Sequence, residues 1–286
     1  MLSSKHNYPD GDIIIIVKDK SFKIHKLILS LASQIFKDLF IDAATSSNTQ
    51  GIQNIELDEP MQTFEDLLDF IYPGSSLLIT WDNVAELFRI ADKYLVDSFI
   101  ERGKEFLERE FPSRPLLSLV LADLYRFKNV YKSSSKLVLD NFSVYKSDQL
   151  FSQLSVKTQG LLLDRYCDYF ISWSKDYQGM NFNENFTHSC QGFCRKEHIK
   201  KIQRKITGKL ESTRTFPPPS PSIFYKMVVN TLQEKNYDTD DCDMNYLFVE
   251  FPKLFENLFG KFEPLKGDVN VDNELCGFYI FIEMKY

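Results

Sequence analysis

Asp12-Ile-Ile-Ile-Ile-Val-Lys-Asp-Lys-Ser-Phe-Lys-Ile-His-Lys26, running on to Phe40, is the stretch that decides the fold. Ile13 to Val17 is a β-branched run with the length of a buried strand. Lys18 to Ser21 reads as a polar turn, and Phe22 and Ile24 alternate with Lys23 as a half-buried second strand does. His25-Lys26 opens a helical stretch through Leu31. A second helix follows Ser33, with Ile35, Phe36, Leu39 and Phe40 on one face.

Further along, Asn54 to Leu57 is a short strand, and Asp58-Glu-Pro60 starts a helix with proline in the first turn, where its missing N–H is harmless. Phe64, Leu67, Leu68, Ile71 and Tyr72 keep the helical spacing until Pro73-Gly74 ends it. Leu77 to Ile79 reads as a short edge strand. Asp82 is placed to cap the next helix, which buries Val84, Leu87, Phe88, Ala91 and Leu95. Asp97 is placed to cap another, through Ile100, Gly103 and Leu107. Strands early and paired helices late predict an α+β layout.

Three blocks in order carry a family resemblance: Asp12 with Phe22-Lys-Ile-His25-Lys26-Leu-Ile-Leu29, then Glu59 to Gly74, then Leu87 to Tyr94. They resemble a BTB/POZ domain, and the Tyr-Pro-Gly ending and Ala-Asp-Lys-Tyr block are most similar to BTB proteins of fungi. The resemblance implies a BTB/POZ fold, a small mixed sheet with clustered helices, over residues 9–111. It also implies a protein-interaction module whose interaction or dimer residues include Asp12, His25, Lys26, Phe36, Leu39 and Phe40. Asp12 and Lys26 are then read either as a partly buried charge pair fixing dimer register or as plain fold stabilisers, with His25 hydrogen-bonded in place. BTB homodimers bury an N-terminal helix and an exchanged first strand. Only Met1 to Asp10 precede the first strand read here, so a homodimer is expected to lack that arm and to be weak. Many BTB proteins dock a cullin scaffold through a hydrophobic-x-Glu motif after the second helix. Ala44-Thr45-Ser46 occupies those positions, inside a stretch, 43–51, whose small polar composition reads as a loop.

A helix-rich region, 112–177, follows. Pro115 opens a helix containing Leu116, Leu119, Val120, Asp123 and Leu124, and further helical periods occur at 137–142, 150–154 and 160–173. In position it is similar to the helical, BACK-like extension of many BTB proteins. Residues 178–286 form a third region of undetermined fold, in which Phe216-Pro-Pro-Pro-Ser-Pro221 reads as an extended linker or strap and 277–283 has strand character. No repeat of fixed period is present, which argues against kelch or ankyrin arrays.

Composition bounds the rest. A chain of 286 residues, 43% hydrophobic with 25 phenylalanines, has ample material for aromatic-rich cores. Net charge is −6, which gives no global attraction to nucleic acid or anionic lipid. No secretory signal and no stretch near the roughly 20 apolar residues of a membrane helix is found, and five scattered cysteines fit a reducing compartment, so cytoplasmic and/or nuclear residence is expected.

His188, Cys190, Cys194 and His198 are zinc-ligand types within eleven residues. On one helix Cys190 and His198 would stand about 12 Å apart, beyond a tetrahedral ion, so zinc requires a break at Gly192, and ordinary cysteines and surface histidines are the plainer reading. From Arg195 to Arg214, eight cations against two acids give +6 around a stripe of Ile199, Ile202, Ile206 and Leu210. That is either a phosphate-contacting or import helix or a solvated helix face. Asp238 to Asp243 fails the calcium-loop template. No phosphate loop, nucleophile elbow or zincin motif appears, so no enzyme activity and no cofactor is expected. The sequence thus predicts an adaptor or scaffold with protein partners, a weak homodimer and a cullin scaffold among them, and no membrane. Its rivals are a chromatin-associated BTB factor using the Cys/His cluster and basic helix on DNA, and an enzyme in the last hundred residues.

Overall fold

A computed structural model describes residues 2–46, 52–74, 77–176, 219–233, 260–264 and 278–284, with Arg204, Gly208 and Glu256 besides. The zinc candidates, most of the basic stretch and the 238–243 loop lie outside the described residues. The chain divides into two compact units, Met1–Arg109 and Glu110–Tyr286.

The first unit is built on a four-stranded mixed sheet in the order β1-β3-β2-β4. β2 (Ile13–Val17) and β3 (Lys20–Ile24) form an antiparallel hairpin pairing Ile13 with Ile24 and Val17 with Lys20. Lys18 makes the turn with a left-handed φ of 52°. β4 (Gln53–Leu57) runs parallel to β2, and β1 (Leu2–Asn7) runs parallel to β3. Ile13, Ile15 and Val17 are wholly buried while Ile14 and Ile16 are half-buried, so β2 is apolar because both faces are covered.

Five helices cover the sheet: α1 (Lys26–Ala32), α2 (Gln34–Ser46), α3 (Met61–Ile71), α4 (Val84–Lys93) and α5 (Asp97–Glu110). Phe22, Phe36, Phe64, Phe88 and Phe99 are all buried in this unit, with Phe22–Phe64 and Phe88–Phe99 meeting edge to face at 5.4 and 5.7 Å. Gly103 of α5 lets α4 close in, because a Cβ there would lie 2.5 Å from the Phe88 ring. Leu95, expected on the buried face of α4, lies past its end with a left-handed φ of 51° and is exposed, and three other local expectations fail. Leu77 to Ile79 forms no strand, the α4 cap residue is Asn83 and not Asp82, and a strand, β1, precedes Ile13. Asn83 takes the cap position because its Oδ1 accepts the Thr80 N–H at 2.8 Å, closing the turn before the helix.

Among its described residues the second unit is mainly helical, as expected for 112–177. α6 (Pro115–Tyr125) has proline in its first turn and ends at Arg126 in the left-handed conformation, φ 64°. α7 (Lys128–Asp140), the short α8 (Phe142–Tyr145), a 3₁₀ turn (Gln149–Gln153) and α9 (Val156–Asp176) follow. α10 (Pro221–Gln233) starts where the proline run was read as a strap, and a two-stranded antiparallel sheet pairs β5 (Phe262–Pro264) with β6 (Phe278–Ile280). The Asp140 carboxylate accepts both the N–H (2.9 Å) and the hydroxyl (2.6 Å) of Ser222, fixing the first turn of α10 to the end of α7. Among the described residues no helix is long and apolar enough to cross a membrane.

Candidate interaction surface

The surface starts from how α1 is held. Asp12 Oδ1 accepts the backbone N–H of Lys26 at 2.8 Å, satisfying one of the unpaired donors of the helix start. Lys26 Nζ donates instead to Gln53 Oε1 at 2.7 Å. The expected Asp12–Lys26 charge pair is therefore replaced by a cap and a tie to β4. Asp12 is exposed, where water already serves the carboxylate and a pair would gain little. His25 is held as the plainer reading expected. Its N–H donates to the Tyr72 hydroxyl at 2.8 Å, and its Nε2 lies 3.2 Å from Asp10. Burial pushes the Tyr72 hydroxyl up to about 12, partly offset by the His25 backbone bond, so it stays protonated at any physiological pH.

So anchored, α1 buries Leu29 and presents Leu27 and Leu31 to solvent, 69% and 79% exposed. One turn apart on the same face, they form a patch and not two scattered leucines. Leu27 carries no such signal in the sequence, because an all-apolar Leu27-Ile-Leu29 run hides which face is covered.

On α2 the structure separates the expected interaction residues. Phe36 and Phe40 are buried, Phe36 stacking on Tyr94 at 4.5 Å, so both belong to the core and are not free for a partner. Leu39 is half-buried, and Ile41, which sequence missed, is 53% exposed. α2 also runs on to Ser46, where a loop was read. Ala43-Ala44 favours helix, and Thr45 returns its hydroxyl to the Asp42 carbonyl at 2.8 Å. Ala44 and Thr45 are therefore exposed on a helix end.

The segment before β2 is a strand held in its own chain. Ser3 Oγ donates to Glu65 (3.1 Å), Lys5 Nζ to Asp69 (2.9 Å), and His6 Nε2 lies 2.9 Å from Asp69. Tyr8 stacks flat on Tyr72, centroids 4.8 Å apart. This corrects the expectation that nothing strand-like precedes Ile13. Leu-Ser-Ser-Lys-His-Asn buries Ser3 and His6 through polar partners, so apolar alternation was never there to be read.

Two buried carboxylates brace the domain behind this surface. Glu65 accepts Lys20 Nζ at 2.7 and 2.8 Å. Glu59 accepts Arg89 (3.0 Å), Lys93 and the Tyr94 hydroxyl (3.1 Å). Burial alone would raise both carboxyls, but these donors hold each below the usual carboxylate value. Among the described residues no group of histidine, cysteine and carboxylate side chains is arranged to hold a metal.

A family model described as "BTB/POZ domain" matches residues 3–110. The Kelch repeat and BTB domain-containing protein A55 of Vaccinia virus (strain Western Reserve) is 32% identical over 145 residues, 50% of this chain and 25% of that protein. Kelch-like protein 25 of Xenopus laevis is 28% identical over 156 residues, 54% of this chain and 25% of that protein. The BTB domain of zebrafish PATZ1 matches at 28% identity over 34% of this chain and 75% of that one, with a TM-score of 0.29. The chain thus spans about a quarter of the length of these curated relatives. The aligned 145 residues exceed what positions 3–110 can hold, so the likeness continues into the helices that follow. The fungal likeness finds no support in a poxvirus and a frog. The anchored α1, the mixed sheet and the match over 3–110 identify this first unit: the chain carries a BTB/POZ domain, a protein-interaction fold.

Proposed function

We infer that this protein is an adaptor or scaffold that self-associates through α1 of its BTB/POZ domain and brings a second protein through the helical unit. The observation that carries the reading is the exposed Leu27–Leu31 patch on a domain of a protein-interaction family. The occupant is a second copy of the chain. The association is weak, because β1 is engaged with its own β3, Glu65 and Asp69 and is not offered for exchange. Sedimentation of the full chain is expected to give a micromolar dimer. Leu27→Asp with Leu31→Asp, both at exposed positions, is expected to leave a folded monomer. A nanomolar dimer, or a dimer indifferent to both substitutions, refutes the reading.

The finer reading is a substrate adaptor of a cullin-RING ubiquitin ligase in the cytoplasm or nucleus. Support comes from the BTB/POZ resemblance and from an exposed helix end at the motif position. The anchor there is only alanine and the acid is missing. Ala44→Val with Ser46→Glu is therefore expected to tighten binding to a purified cullin scaffold about ten-fold, or 1.4 kcal/mol. Unchanged binding, or none in either form, removes the cullin from the reading.

A further inference from the structure

β6 packs against α7 and α10, and residues 281–283 continue along α7. Ile280, Phe281 and Ile282 are buried. Three consecutive residues are each read by a different device. The Phe281 ring lies 4.2 Å from Lys132 Nζ and 5.5 Å from Lys136 Nζ. The backbone N–H of Ile282 donates to Ser135 Oγ at 3.2 Å, and that hydroxyl is oriented by the Lys132 carbonyl at 2.8 Å. The Glu283 carboxylate faces Lys132 Nζ at 3.6 Å. Glu263 of β5 completes the set, 2.7 Å from Lys132 and 3.3 Å from Lys136.

We propose that this α7 face is a peptide-docking groove for extended segments of aromatic–aliphatic–acidic pattern, occupied in cis by residues 281–283. Three physical points support exchange. β5 and β6 pair over only three residues each, and a two-stranded sheet of that size has little stability of its own. The segment is about 150 positions from α7 along the chain, so local connectivity does not hold it there. Emptying the groove costs Lys132 both the Phe281 ring over its ammonium and the Glu283 carboxylate beside it. Replacing one acid-bearing segment by another avoids that cost, which selects partners carrying the same pattern. This gives the helical unit a defined partner class and does not depend on how the BTB/POZ domain associates.

The test uses the full chain and a labelled peptide of residues 278–284, Phe-Tyr-Ile-Phe-Ile-Glu-Met, read by fluorescence anisotropy. Phe281→Ala with Glu283→Lys should empty the groove, and the peptide should bind that chain about ten-fold tighter than the native one. Adding Lys132→Glu should reverse the gain. Equal binding to native and emptied chains, or binding indifferent to Lys132→Glu, overturns the proposal. Should the double variant unfold the helical unit, hydrogen exchange on the native chain decides. Excess peptide must strip protection from residues 278–284 while α7 keeps its own, and a scrambled peptide must not. Unchanged protection, or equal action of the scrambled peptide, overturns it as well.

Discussion

Replacing Phe36 by alanine is expected to cost the BTB/POZ domain about 3–5 kcal/mol, the range for removing a fully buried aromatic side chain. Phe36 has no exposed surface and sits among three aromatic rings: Tyr94, stacked at 4.5 Å and 6° from parallel, Phe40 at 6.1 Å and Phe64 edge-on at 6.4 Å. Those rings come from α2, α3 and the end of α4, so the cavity would open where three helices meet and could collapse only by moving all of them. A domain's whole stability is about 5–15 kcal/mol, so a loss of this size leaves the fold marginal. The chain has two tryptophans, one in each unit, Trp81 and Trp173. In a Trp173→Phe background, denaturant unfolding followed by Trp81, which packs edge-on to Phe106 at 5.0 Å, reports the first unit alone. A loss below about 1 kcal/mol would show that Phe36 is not the keystone its packing implies.

The first unit was legible because its signals are apolar and periodic. Ile13 to Val17, the Phe64-to-Tyr72 spacing and the Val84-to-Ala91 face each map onto an element at or near its observed bounds. What escaped was polar. β1 is held by serine, lysine and histidine against Glu65 and Asp69, partners some sixty residues away that no local pattern announces. In the helical unit the expected helix at 137–142 begins nine residues earlier, at Lys128. Ser134, Ser135 and Lys136 are all buried, and partners of Ser135 and Lys136 come from residues 282 and 263, far along the chain. The interaction surface was half legible for a related reason. Sequence spacing finds the apolar positions of α1 and α2 but cannot say that Phe36 and Phe40 turn inward while Leu27, Leu31 and Ile41 turn outward. Only the placement of the sheet decides that.

Acid should expose the second large effect, at Glu59. This carboxylate is 2% exposed and carries donors from Arg89, Lys93 and Tyr94. Glu59→Gln keeps the shape and removes the charge. Arg89 and Lys93 are about half exposed, so water replaces part of what they lose, while the buried Tyr94 hydroxyl recovers little. The expected cost at pH 7 is about 2–3 kcal/mol, below the full penalty for breaking a buried pair. The sign with pH follows from the direction of the shift. Burial opposes the charge, but the donors outweigh it and hold the folded carboxyl below its ordinary value of 4.5. The unfolded chain therefore takes up this proton first as pH falls. The stabilisation is complete above the unfolded value and drains away as pH drops through the folded one. Glu65, lowered in the same way by Lys20 and Ser3, adds to the slope. In the helical unit Asp140 acts in the opposite direction, since burial raises its carboxyl despite the Ser222 bonds, and protonation there favours the folded state. Glu263, held low by Lys132 and Lys136, gives the helical unit one acid-labile carboxylate that Asp140 opposes, against two unopposed ones, Glu59 and Glu65, in the BTB/POZ domain, so the stability read by Trp81 is expected to fall more steeply with acid than that read by Trp173. The gap between native and Glu59→Gln proteins should be widest at pH 7 and close once native Glu59 is itself protonated. A gap of constant size across that range would make Glu59 a packing residue and remove the charge from its role.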